Sequence, residues 1–139
     1  MPRPSPPAGG IEACRSALAE LPQAGRFPAC RAAMERLSAA RRTGWEAVRL
    51  LRQAVVMATQ DARRRSGGVL VANLNRLRRA LAEAEAAAQD ARTALAGLIE
   101  PIWVERYLAE RIEPLREELA GLEVRVRQLD PAGYAASRE

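Results

Sequence analysis

The chain contains no histidine and no lysine. Without histidine it lacks the side chain most often used as a general base and metal ligand near neutral pH. Its two cysteines, Cys14 and Cys30, cannot supply the four closely paired ligands of a structural zinc site. They are also too few for a disulfide framework. They read as two reduced thiols, with a single bridge across the 22–28 loop as the alternative. Aromatic residues make up 4% of the chain, which leaves no row of stacking platforms for single-stranded nucleic acid. The glycines follow neither the G-x-x-x-x-G-K-[ST] nor the G-x-G-x-x-G pattern that cradles phosphate. Adjacent carboxylates such as Glu117 and Glu118 diverge by about 100° on a helix and so do not pair. These gaps argue against an enzyme and give no reason to expect a metal or cofactor. No apolar run approaches the roughly 18 residues of a membrane span. The opening MPRPSPPAGG lacks the apolar core of a secretory signal. The expectation is a cytoplasmic protein.

What is present is alanine, leucine and arginine. Hydrophobic residues are 48% of the 139, enough for a core. Much of that share is alanine, which suits closely approaching helices. All 22 basic residues are arginine. GC-rich coding accounts for such a bias; selection for the planar, bidentate guanidinium is the functional counterpart. The net charge of +5 is unevenly spread. Residues 26–79 carry 13 arginines against Glu35, Glu46 and Asp61, while residues 80–139 carry 7 arginines against 12 acids. A basic half and an acidic half can neutralise each other within one molecule.

Periodicity gives the fold class. Leu70, Leu74, Leu77, Leu81, Ala84, Ala88, Ala91, Leu95 and Leu98 alternate steps of four and three, the signature of a heptad seam. A second seam runs through Leu108, Ile112, Leu115, Leu119, Leu122, Val126 and Leu129. A third, through Met34, Leu37, Arg41, Gly44, Val48, Leu51, Val55, Ala58 and Ala62, is interrupted at Arg41 and Gly44. Arg41 either extends past its aliphatic stem to water or pairs with an acid such as Glu105. Gly67 and Gly68 mark a helix stop, and Pro101 suits the first turn of the next helix. Asp130 and Pro131 close the last one. Thr43 and Glu46 have capping-box spacing, so the first long helix can restart there. Pro114 must kink its helix or begin a new one.

Short connections make sequential helices antiparallel neighbours. Folding about Gly67 and Gly68 sets Val55 near Leu81, and Trp45 and Val48 near Ala88 and Ala91. Folding about Pro101 brings Leu108 and Ile112 to the same alanines. The bulky Trp45 then faces the slimmest part of the middle helix, which favours close packing. The expected architecture is all-α: an antiparallel three-helix coiled-coil-like bundle over 27–129. Trp45, Val48, Leu81, Ala88, Ala91, Leu108 and Ile112 form its core. Residues 1–26 read as a disordered arm with a short extra helix at 11–21, and 130–139 as a tail. Heptads can also be satisfied between chains, so a dimerising helical hairpin is the alternative. The three-helix plan with a tryptophan in its first long helix resembles a spectrin-type repeat in outline. VANLNRLRRAL, residues 71–81, is similar to a stretch of plasmid-mobilisation accessory proteins.

One feature carries chemistry. The proposed fold gathers Arg63, Arg64, Arg65, Arg76, Arg78, Arg79, Arg125 and Arg127 at the Gly-Gly end, with Arg76, Arg78 and Arg79 pointing outward. A helix C-terminus accommodates three of them, Arg63 to Arg65. That placement explains three of the eight and not the others, and all eight together form a candidate anion-binding pole. The expected function is a non-enzymatic adaptor, scaffold or assembly protein working through a protein partner or self-association. The alternative is a basic accessory protein that contacts nucleic-acid phosphates through the arginine pole. On the last long helix, Arg106 with Glu110 and Glu123 with Arg127 have the spacing of intrahelical ion pairs.

Overall fold

The computed structural model describes residues 26–96 and 102–138, and of Arg26 the backbone only. Among these residues all regular structure is helical, without strand. Helix α1 spans Arg26–Gln60, α2 Val69–Leu95, α3 Ile102–Tyr107, α4 Glu113–Leu129 and α5 Pro131–Ser137. A 3-10 turn, Ala62–Arg64, follows α1, and a π turn, Leu108–Ile112, joins α3 to α4. Cys14 and the helix expected at 11–21 lie outside the described residues. No described helix is long and apolar enough to cross a membrane.

Helix α1 buries Cys30, Ala33, Leu37, Ala40, Ala47, Val48, Leu51, Val55 and Ala58. Its stripe therefore passes through Ala40 rather than Arg41, which stays only half-buried beside it. Glu105 bonds Arg92, not Arg41. The expected restart at Thr43 does not occur, since α1 is continuous there. Glu46 instead accepts from Arg49 one turn on. Gly44 is buried, and its missing side chain admits Leu115 from α4.

The turn after α1 is wider than the sequence suggests. Asp61, extended at φ −132°, accepts a hydrogen bond from the Arg63 N–H at 3.0 Å. Asp and Asn favour such local bonds over continued helix, so α1 stops at Gln60. The left-handed residue is Gly68, φ +81°, and it leads into α2 instead of closing α1. This shifts the α1–α2 register. Gly44 faces Ala80, more than two turns short of the Ala88–Ala91 level expected for its neighbour Trp45, and Arg36 bonds both Glu83 and Asp90. As α1 proceeds from Cys30, its neighbours on α2 run backward from the Ala91–Leu95 level to Leu70.

Every expected seam residue of α2 from Leu70 to Leu95 is buried. Ala80, Ala87 and Ala94 add a second buried stripe of period seven, as befits a helix covered from two sides. Ala88 and Ala91 are fully buried with Cys30, Ala33 and Val104, against Met34, Trp103 and Leu108. Trp45 is not among them. It is half-buried against the larger cluster, which holds Val48, Leu81 and Ile112. The large-against-small match therefore belongs to Trp103.

Pro114 sits in the first turn of α4, and the helix does not break before it but widens. The Glu113 N–H reaches back five residues to Leu108 O. A proline ring collides with the carbonyl four residues earlier, and a π turn relieves such a collision locally. Beyond α4, residues 131–137 fold as α5. Asp130, buried, caps it by accepting from the Gly133 N–H at 3.1 Å.

Candidate functional site

Cross-helix arginine–carboxylate pairs tie the basic half to the acidic half. Arg36 joins α1 to Glu83 (2.8 Å) and Asp90 on α2. Arg52 on α1 pairs with Glu118 on α4. Arg116 on α4 reaches Glu85 on α2 at 2.6 Å, and Arg92 on α2 holds Glu105 on α3 at 2.6 Å. None of these pairs is suggested by intrahelical spacing. They became visible only once the helix register was known. Each is partly to largely exposed and screened by solvent, so it adds little to stability; the main effect of these pairs is to fix register and consume charge. The expected Glu123–Arg127 pairing gives way to Glu123 with Arg78 and with the Tyr134 hydroxyl, which donates at 2.9 Å.

The eight arginines assigned to one pole occupy three places. At the turn, Arg65 Nε donates to the Ala58 carbonyl at 3.0 Å, satisfying an orphan acceptor at the end of α1. Arg64 lies 3.6 Å from Asp61 and donates to the Met57 sulfur. Arg63 is exposed. Arg125 reaches Thr59 and Gln128 from α4, and Arg127 is exposed nearby in sequence.

Arg78 does not point outward. It is half-buried, 5.6 Å from the centre of the Tyr134 ring, and bonds Asn75 and Ser137 at 3.1 and 3.0 Å. Helix α5 folds back against α2 and brings Tyr134 and Ser137 to it. A guanidinium held over an aromatic face and against a carboxylate is a clasp for the chain end. It is not available as an anion site.

Arg76 and Arg79 lie farther along, in the outer groove between α1 and α2. One pocket there, about 410 Å³, is lined by Ala39, Ala40, Thr43 and Ala80, with Arg36, Arg76, Arg79 and Glu83 as walls. A second, about 260 Å³, lies toward the turn, with Ala54, Met57, Val69 and Leu70 beneath Arg63 and Arg64. The two share no lining residue but both lie between α1 and α2, and we refer to them together as the α1/α2 trough, with alanine in the lining of each and arginines at its edges. Among the described residues Arg63, Arg76 and Arg79 enter no ion pair. The charge of Arg76 is felt at Glu46. The hydrogen bond from Arg49 holds that carboxyl below the usual range, partial desolvation opposes it, and the charges of Arg49 and Arg76 add to the lowering.

Sequence reasoning found these arginines but not the trough, because the floor depends on the α1–α2 register that the wide turn sets. Cys30 is a buried free thiol whose pKa burial pushes up, and it takes no part in the trough. Comparison with known protein families, with curated proteins and with solved structures finds no match to this chain.

Proposed function

We propose that the chain is a non-enzymatic adaptor or scaffold, built as an antiparallel three-helix coiled-coil-like bundle, that works through protein contact along the α1/α2 trough. The observation that carries this reading is the pairing of an apolar floor, Ala40, Ala54 and Ala80, with the guanidinium groups of Arg63, Arg76 and Arg79, unpaired among the described residues. Small floor residues let a helix backbone approach closely. Arginine walls select one whose flanks are acidic, by charge complementarity that favours encounter and register. The dispersal of the eight arginines weakens the nucleic-acid alternative. That alternative keeps support from the same exposed guanidinium groups, since phosphate contacts need no convergent pocket.

Fluorescence anisotropy separates the two. A labelled synthetic amphipathic helix with glutamates flanking an alanine-valine stripe should bind the full chain, and Arg76→Glu with Arg79→Glu should abolish binding while helicity is kept. Preferential binding of a duplex of about 20 base pairs, with a steep salt dependence lost in the same variant, would transfer the trough to nucleic acid.

A further inference from the structure

The trough has a complement on the same molecule. The outer face of α4 presents Glu113, Glu117, Gly121 and Val124 to solvent. Val124 is 55% exposed, one of five exposed large apolar side chains among the described residues. Glu117 enters no ion pair among those residues, and Glu113 has only Arg116 on its own helix, at 3.2 Å. Nothing would touch a Cβ at Gly121. On the trough side, Val69 is 56% exposed and Met57 36%.

The spacings agree. Val69 and Arg76 are seven residues apart on α2, and Glu117 and Val124 are seven apart on α4, about 10.5 Å in each case. With the two helices opposed in direction, Val124 meets Val69 and Met57 while Glu117 meets Arg76. The next turn then sets Glu113 beside Arg79. The slim surface at Gly121 lies between the two contacts, where close approach is needed. A trough and an outer face on different sides of one molecule cannot satisfy each other within it, but they can between copies.

Resting on the reading of the trough as a protein-contact surface, we infer that its occupant is the outer face of α4 from a second copy of this chain. Because the trough and the α4 face lie on different sides of one copy, a single partner cannot engage both at once, and the contact is heterologous. It therefore propagates into rings or open chains and does not stop at a two-fold dimer. Two or three turns of helix bury less than the roughly 800 Å² per partner of a stable complex, so association is weak.

The test is sedimentation velocity with light scattering on the full chain, at rising concentration and at low and high salt. The average mass should climb past twice 15.2 kDa at low salt and fall as salt rises. Arg76→Glu and Glu117→Arg should each weaken association at least about tenfold. Mixing the two variants should restore it, because each then offers the charge that the other lacks. Both positions are exposed, and circular dichroism checks that helicity is intact. A chain that stays monomeric throughout, or variants that associate unchanged or fail to complement, would overturn the inference. If the synthetic acidic helix still bound the trough in that case, only self-docking would fall and the contact-surface reading would stand.

Discussion

Gly44 of α1 lies directly beneath Leu115 of α4: a Cβ at residue 44 would stand 2.9 Å from Leu115 Cδ1 and 3.7 Å from the Cβ of Ala80. Helices α1, α2 and α4 meet at this notch. Two effects oppose each other there. Alanine gains about 1 kcal/mol of helix propensity over glycine, but the leucine tip must move by a few tenths of an ångström. Gly44→Ala should therefore leave stability within about 1 kcal/mol of the parent in urea unfolding. Gly44→Val adds branched atoms that Leu115 cannot evade and should cost about 1–3 kcal/mol. In a Leu115→Ala background that cost should largely vanish. An equal cost in both backgrounds would mean the two side chains do not share the space.

The same notch shows what was legible in the sequence. Gly44 and Arg41 look like damage to a seam because heptad spacing from Leu37 runs through Arg41. The helix instead turns Ala40 inward, and Gly44 becomes a receptor for a leucine more than seventy residues away. The apolar stripes of α2 and α4 were readable because leucine at heptad spacing has one physical use. The register was not, because it depends on where Asp61 stops α1, and a side-chain bond of 3.0 Å outweighs the pull of two later glycines. The inward position of Arg78 is hidden in the sequence for a similar reason. Its neighbour Tyr134 comes from a segment too short and too poor in apolar residues to be read as a docking helix.

Asp130 is the one polar or charged residue among the described residues to be buried as a whole. It caps α5 through the Gly133 N–H. Asp130→Ala removes the acceptor and should cost about 1 kcal/mol, within the range of such caps. The sharper signature is local. Once α5 is released, Tyr134 leaves Arg78 and Glu123, and amide exchange in 132–137 should quicken while that of α2 stays slow. Unchanged exchange in α5 would mean that the Arg78 clasp, not the cap, holds the chain end.

Acid should loosen the molecule through its exposed pairs. The hydrogen bond from Arg92, reinforced by its charge against partial desolvation, holds the Glu105 carboxyl below the usual range. Glu46 is lowered by Arg49 in the same way. A carboxyl whose folded pKa lies below its unfolded one stabilises the fold above the unfolded value. That contribution is lost as pH falls through the folded one. The urea midpoint should therefore drop between about pH 5 and about pH 3, modestly, because both groups are exposed. Salt at about 1 M should flatten the drop. Glu105→Gln should remove part of it and quicken amide exchange in α3, which that carboxylate ties to α2. A midpoint that rises on acidification would show that the acids repel one another more than the arginines hold them.

The π turn makes the most demanding prediction. Val104 and Ile112 are both fully buried, yet they are eight residues apart where an undistorted heptad allows seven. The turn at Leu108–Ile112 absorbs the extra residue; without it Glu105 would occupy the position Val104 fills. Deleting exposed Ala109 should convert the turn to ordinary helix and leave Val104 and Ile112 in register. Deletion alone returns Pro114 to a helix interior, where its ring meets the Glu110 carbonyl and costs about 3 kcal/mol. Combined with Pro114→Ala, the deletion should recover stability to within about 1 kcal/mol of the parent, since the alanine restores the missing donor. Deleting Ala120, also exposed, offers no such compensation. It rotates Leu122 and Val126 about 100° from the core and should unfold α4, whatever stands at 114. If the Ala109 deletion with Pro114→Ala were as damaging as the Ala120 deletion, the widened turn would not be the device that keeps both ends of this helix on one seam.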